Sequence, residues 1–186
     1  MITKFYDLLF IATFHEEEEI RRDALLRAME IAEQQRFVEE LVNIATGNNV
    51  ITNKFICSKI GIDENIVYKV RKECAIQSIK LARQDGNIQA LEKIIVSKDI
   101  EEELRIAAID AFHKILSNII KKNKESGDWL NILKLLEHLM SKSLLDDSIR
   151  EKFQGTARSI AKNLVIKLDE ENGGFARSRQ MPSRNK

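Results

Sequence analysis

Proline is almost missing from this chain, with one residue in 186, and glycine occurs only seven times. So few breakers exclude a fold of many short strands and tight turns, and they favour long uninterrupted helices. Net charge is nearly missing too, since 30 Lys and Arg face 29 Asp and Glu. No global field therefore draws the protein to a polyanion or a membrane surface, although local patches remain. Aromatics make up 6% of the residues, with one Trp. The three histidines, His15, His113 and His138, lie far apart, and none has another histidine three or four residues away. There is no Gly-rich phosphate loop, nucleophile elbow, CxxC pair or HExxH, so no motif for catalysis or cofactor binding is visible. HEEEE at 15–19 reads as a helix first turn whose carboxylates favour the positive end of the dipole, ahead of a metal site.

Cys57 and Cys74 are isolated, and each falls on an apolar helical face. They read as buried thiols of a reducing compartment, which points to the cytoplasm. ITKFYDLLFIATF at 2–14 is apolar but carries Lys4 and Asp7 and runs only about a dozen residues. That is short of the ~20 apolar residues of a membrane span and lacks the cleavage signature of a signal peptide. The expectation is that this helix packs under the pair that follows rather than meeting a partner chain.

What the chain does have is apolar periodicity. With 44% hydrophobic and 32% charged residues, apolar positions recur at steps of three and four nearly throughout, which predicts an all-helical protein. Helices are expected at 3–14, 17–34, 36–46, 51–60, 64–84, 88–97, 100–122, 128–142 and 146–168. Breaks fall at Thr46–Asn49, Gly61–Asp63, Asp85–Asn87 and Glu125–Asp128. Residues 1–168 read as one helical domain. DEENGGFARSRQMPSRNK at 169–186 has no periodicity and reads as a flexible basic tail. Residues 172–186 hold four basic and no acidic residues, leaving 26 basic against 29 acidic in 1–171.

A shared frame runs through four of the predicted helices. After Leu104-Arg105 come Ala108, Phe112 and Ile115, at three, seven and ten residues past the arginine. The same frame follows Ile20-Arg21 (Ala24, Ala28, Ile31), Val70-Arg71 (Cys74, Ser78, Leu81) and Ile149-Arg150 (Phe153, Ala157, Ile160). These steps place the positions on one helical stripe, and its small residues let a neighbour approach closely. In Leu104-Arg105, Ala108, Ala111, Phe112 and Ile115, with Asp99 six residues before the arginine, the chain resembles HEAT-type repeats, including those of the phycobilisome-lyase kind. Gln154 and Gly155 depart from the pattern in the last copy, and the arginines are spaced irregularly, by 50, 34 and 45 residues.

The resemblance implies an α-solenoid of about four antiparallel helix pairs, each burying its stripe against the next. It further implies a non-catalytic adaptor or scaffold for a protein partner, without a cofactor. Each repeat arginine would pair with an acidic residue, and Asp63, Asp99 and Asp146 are placed for this. The expected partner contacts are Lys72, Arg105 and Arg150 on the ridge of second helices, and Arg177, Arg179 and Arg184 in the tail. The alternative is a nucleic-acid-associated protein gripping phosphates through the tail and the Lys121 to Lys124 patch, and a lyase-type chromophore-binding enzyme is a third reading. Trp129, heading Ile132, Leu133, Leu135, Leu136 and Leu139, reads as core.

Overall fold

The structure, a computed structural model, describes the backbone of residues 1–122, 127–141 and 145–178, and the side chains of 1–122, 131–141 and 145–166. The described residues are helical, with no strand among them. In chain order the helices are α1 (Ile2–Phe14), α2 (Glu18–Gln35), α3 (Val38–Ala45), α4 (Lys54–Lys59), α5 (Glu64–Asp85), α6 (Ile88–Val96), α7 (Glu102–Lys122), α8 (Gly127–Ser141) and α9 (Asp147–Ser178), with a 3-10 turn at Val50–Thr52.

Local chemistry sets these ends. The Asp63 carboxylate accepts the N–H of Asn65 at 2.9 Å and starts α5, while Gly86, in the left-handed region at φ +71°, ends it. Asn87 then accepts from the N–H of Ala90 and opens α6 at once. The expected helix at 51–60 is instead two pieces. The Asn53 side chain accepts from the N–H groups of Phe55 and Ile56, beginning a new helix behind the 3-10 turn. A residue that caps in an extended conformation cannot also continue the preceding helix.

Two further boundaries depart from expectation. Gly127 and Asp128 belong to α8 rather than to a loop, while Glu125 and Ser126 lie outside the described residues. The last helix does not stop at 168 but continues to Ser178, through the first ten residues of the segment expected to be an unstructured tail. Nothing in Asp169-Glu170-Glu171 breaks a helix, and Gly173 and Gly174 each lower helical stability by only about 1 kcal/mol. Residues 179–186 lie outside the described residues, and so does the Trp129 side chain.

Packing follows chain order. α1 packs on α2, α3 on α5, α6 on α7 and α8 on α9, while α2, α5, α7 and α9 pack successively on one another and α3 packs on α6. A single apolar cluster runs from Phe5 to Leu164. Eleven of the twelve frame positions are buried and Ile31 is partly so, so the stripe read from the sequence is the core stripe. Phe112 and Phe153, at frame positions that alanines hold in other copies, meet across α7 and α9 with ring centroids 5.6 Å apart. α1 buries Phe5, Leu9 and Ala12 against the following helices, as expected, and leaves Phe10 exposed beside Phe14.

Both cysteines are free and buried. Burial pushes both thiols above their ordinary range, Cys74 the more strongly. At pH 8 neither is ionised in the folded protein, so iodoacetamide should modify neither at an appreciable rate until denaturant is added, read by intact mass. Because the folded-state values are raised, this contribution to stability is complete below the ordinary thiol value of about 8.5 and falls as pH climbs above it. Backbone geometry gives a second test. Gly86→Ala, at a left-handed position with nothing within 4 Å of a new Cβ, should cost about 1 kcal/mol in urea unfolding. Gly47→Ala, equally left-handed but with its Cβ 3.3 Å from the Arg71 guanidinium carbon, should cost more.

Candidate functional site

The four frame arginines are where the sequence places its clearest repeated polar signal, and the structure buries Arg71 and Arg105 and half-buries Arg21 and Arg150. Each reaches back to carbonyls at the end of the helix before its own or in the connection that follows. Arg21 Nη1 donates to the His15 and Glu16 carbonyls just past α1, at 2.7 and 2.6 Å. Arg71 Nε donates to the carbonyl of Ala45, the last residue of α3, at 2.8 Å. Arg105 Nε donates to the carbonyl of Ile95 near the end of α6, also at 2.8 Å, and Arg150 Nη2 donates to the carbonyl of Leu145 at 3.2 Å.

The physical need is plain. The last carbonyls of a helix have no intrahelical donor, and these ends are packed against longer helices where water is scarce. A guanidinium offers several donors in a fixed fork and adds a favourable charge at the negative end of the helix dipole.

Two of these arginines also reach forward. Arg71 Nη2 donates to the Asp99 carbonyl at 3.3 Å and lies 3.9 Å from its carboxylate, and Arg105 Nη1 donates to the Asp146 carboxylate. Asp99 and Asp146 thus pair with the arginine of the preceding copy. Asp63 does not join this set, because its carboxylate caps α5. Burial pushes the Arg71 guanidinium below its ordinary range, and the Asp99 charge opposes that shift.

These positions correct the expected contact ridge. Arg105 is 2% exposed and Arg71 6%, so the charge of Arg105 is committed to Ile95 and Asp146 rather than offered to a partner. Arg150 is half-buried on the Leu145 carbonyl. Lys72 keeps a partly accessible head. Its Nζ lies 3.0 Å from Glu101 and within 3.4 Å of the Tyr68 hydroxyl. Arg177 falls in the last turns of α9 with its side chain outside those described, and Arg179 and Arg184 lie outside the described residues altogether.

Lys72 stands on the rim of a cleft between α4, α5 and the start of α7. Cys57, Val67, Ala75 and Leu104 supply its apolar walls, and Lys54, Glu64 and Glu101 its charged rim. The cavity measures about 60 Å³, room for a small side chain and far below the ~300 Å³ at which cofactor pockets begin. α4 also carries Phe55, 67% exposed with Lys59 Nζ 4.3 Å above its ring, and exposed Ile60.

Sequence reading missed the ion pairs that tie one helix to the next across the stack: Glu18 with Lys69, Glu33 with Lys80, Glu39 with Lys93 and Asp110 with Lys152. Their partners are 42 to 54 residues apart, with both heads substantially exposed, so no local pattern announces them. The hydrogen bonds from Lys80 and Gln77 hold the Glu33 carboxyl below its usual range. His15 does not face the acidic run as a ligand set; its Nδ1 accepts the N–H of Glu17 at 3.1 Å. Among the described residues no cluster of three or more His, Cys, Asp or Glu is placed to hold a metal ion, and no helix is long and apolar enough to cross a membrane.

Comparison with protein-family models, with curated proteins and with solved structures gives no match.

Breaking the internal arginine link should be severe. Arg105→Ala leaves the buried Ile95 carbonyl without its side-chain donor and empties the space the guanidinium filled, and should cost about 2 kcal/mol in urea unfolding. Lys72→Ala removes a half-exposed pair and should cost less than about 1 kcal/mol.

Proposed function

We propose that this protein is a small HEAT-like α-solenoid of about four antiparallel helix pairs that serves as a non-catalytic adaptor, holding a protein partner on the surface of its second helices. One observation carries the reading. The second helices α2, α5, α7 and α9 pack on one another in chain order, their frame positions turned inward and their arginines bonded to helix-end carbonyls. Everything chemically distinctive about the repeat is thereby used for holding helices together, and what is left outward is a broad face of variable side chains. Such a face suits recognition, because its residues can change without disturbing the core.

Within that reading Lys72 and the cleft beside it form an anchor point for one small apolar side chain of the partner. Exposed Phe55 and Tyr68 on the flanking helices add area of the kind that dominates binding energy. The tail arginines Arg177, Arg179 and Arg184 add a weaker, screened attraction for acidic surfaces. Two buried unpaired thiols support a reducing, cytoplasmic home.

The test is affinity capture from native cell extract with the full chain and with a variant carrying Arg177→Gln, Arg179→Gln and Arg184→Gln, each with and without nuclease, read by mass spectrometry. A stoichiometric protein partner that survives both treatments is the expected result. Recovery that disappears with nuclease would replace the adaptor with a nucleic-acid-associated protein, and turnover of a substrate or a stoichiometric bound chromophore would replace it with an enzyme.

A further inference from the structure

Across the faces of α5, α7 and α9, the charges divide into two sets. Lys69, Lys80 and Lys152 are tied to carboxylates of a neighbouring helix. Arg83, Lys114 and Lys121 are exposed and have no ion-pair partner among the described residues. The surroundings of this second set hold no acid over long stretches of chain. From Ala111 to Lys122 and again from Lys152 to Leu168 there is no Asp or Glu, while the second stretch adds Arg158 and Lys162.

Three adjoining depressions line up on this side. Arg83 and Lys114 belong to two of them, and His113 joins the second to a third bounded by Gly155 and Ser159 on α9. Together they form a trough that crosses three helices.

Structural roles account for only part of this basic set. Arg83 and Lys121 stand in the last turns of α5 and α7, where a cation complements the helix dipole. Lys114 lies two turns inside α7, and Arg158 and Lys162 lie in the middle of α9, so neither the dipole nor an ion pair explains them.

The trough also has an apolar floor, in Ile76, 41% exposed, with Ile79, Ala107 and Ala111. Asp110, tied to Lys152, lines the first and third depressions, and Glu151 lines the third. A continuous phosphate backbone would meet those carboxylates, and no Phe, Tyr or Trp lines the trough to stack a base. A peptide can instead place its acidic groups on one side and its apolar groups on the floor.

We infer that this trough docks an extended acidic segment of the partner protein, its carboxylates on Arg83, Lys114 and Lys121 and its apolar side chains on Ile76 and Ala107. The inference rests on the adaptor reading and names the chemistry of the partner. Exposed cations in a shaped groove raise the encounter rate and select the sign of the partner's charge.

The test uses the full chain, the triple variant Arg83→Glu, Lys114→Glu, Lys121→Glu, and a control of equal charge change, Lys4→Glu, Lys59→Glu, Lys98→Glu. All three substituted sites in each variant are exposed, and helical circular dichroism checks that both fold. The probes are a short fluorescent peptide of glutamates interspersed with leucines, the same peptide with lysines, and a single-stranded RNA of equal charge, followed by anisotropy.

Binding of the acidic peptide that weakens about tenfold or more in the trough variant, but not in the control, with weaker binding of RNA, is the expected result. No binding of the acidic peptide to the unmodified chain, equal binding by the trough variant, or tighter binding of RNA would each overturn it. Affinity capture separates the two levels: if the trough variant recovers the same protein partner as the unmodified chain, the trough assignment falls and the adaptor stands. If neither recovers a partner, the adaptor reading falls with it.

Discussion

The structure depends on guanidinium groups donating to carbonyls at or just past the ends of short helices. α3 and α6 are 8 and 9 residues long, too short to be stable in isolation, and their carbonyl ends are packed where water cannot serve them. An arginine on the following long helix supplies the missing donor each time, at Ala45 from Arg71 and at Ile95 from Arg105. Thr52 adds its hydroxyl to the Ile44 carbonyl at 2.8 Å for the same end of α3. The bonds fix how far along the long helix the short one sits, so they set register as well as satisfy polar groups. A lysine would not substitute well, because a point charge on a flexible stem cannot serve a carbonyl through one arm and an aspartate through another.

Much of the fold was legible because helical periodicity is a local property. Positions such as Ala108, Phe112 and Ile115 announce a buried stripe in the sequence, and they are buried. Gly86 and Asn87 announce a stop and a start, and they provide them. The misreadings came where one side chain arbitrates between two local outcomes. Asn53 divides an apolar run that periodicity alone joins, and the residues after Leu168 continue a helix because α9 was already nucleated upstream.

The fate of the arginines was half legible. Their repetition marked them as a set, and the resemblance to HEAT-type repeats implied acidic partners without saying which: Asp99 and Asp146 pair with Arg71 and Arg105, while Asp63 caps α5. Nothing in the sequence shows that the same groups must also serve backbone carbonyls, a demand that arises only once the helix ends are buried. The trough was less legible still. Arg83, Lys114 and Ser159 are separated by 31 and 45 residues, and only the packing of α5, α7 and α9 brings them to one trough. The hint available beforehand was negative, the lack of acidic residues over the second half of α7 and most of α9.

The forward reach of the arginines is unequal along the chain, and that inequality bears on how the molecule comes apart. Arg71 and Arg105 each bridge to the aspartate of the next copy, whereas Arg21 donates only to His15 and Glu16 beside it. The first pair of helices is joined to the rest by apolar packing and by exposed pairs such as Glu18 with Lys69 and Arg36 with Asp85, which water and salt weaken readily. Where neighbouring helices hold one another, local opening begins at the weakest joint. The segment from Arg71 to Asp146 is therefore the part that local opening reaches last, and α1 and α2 lie outside it.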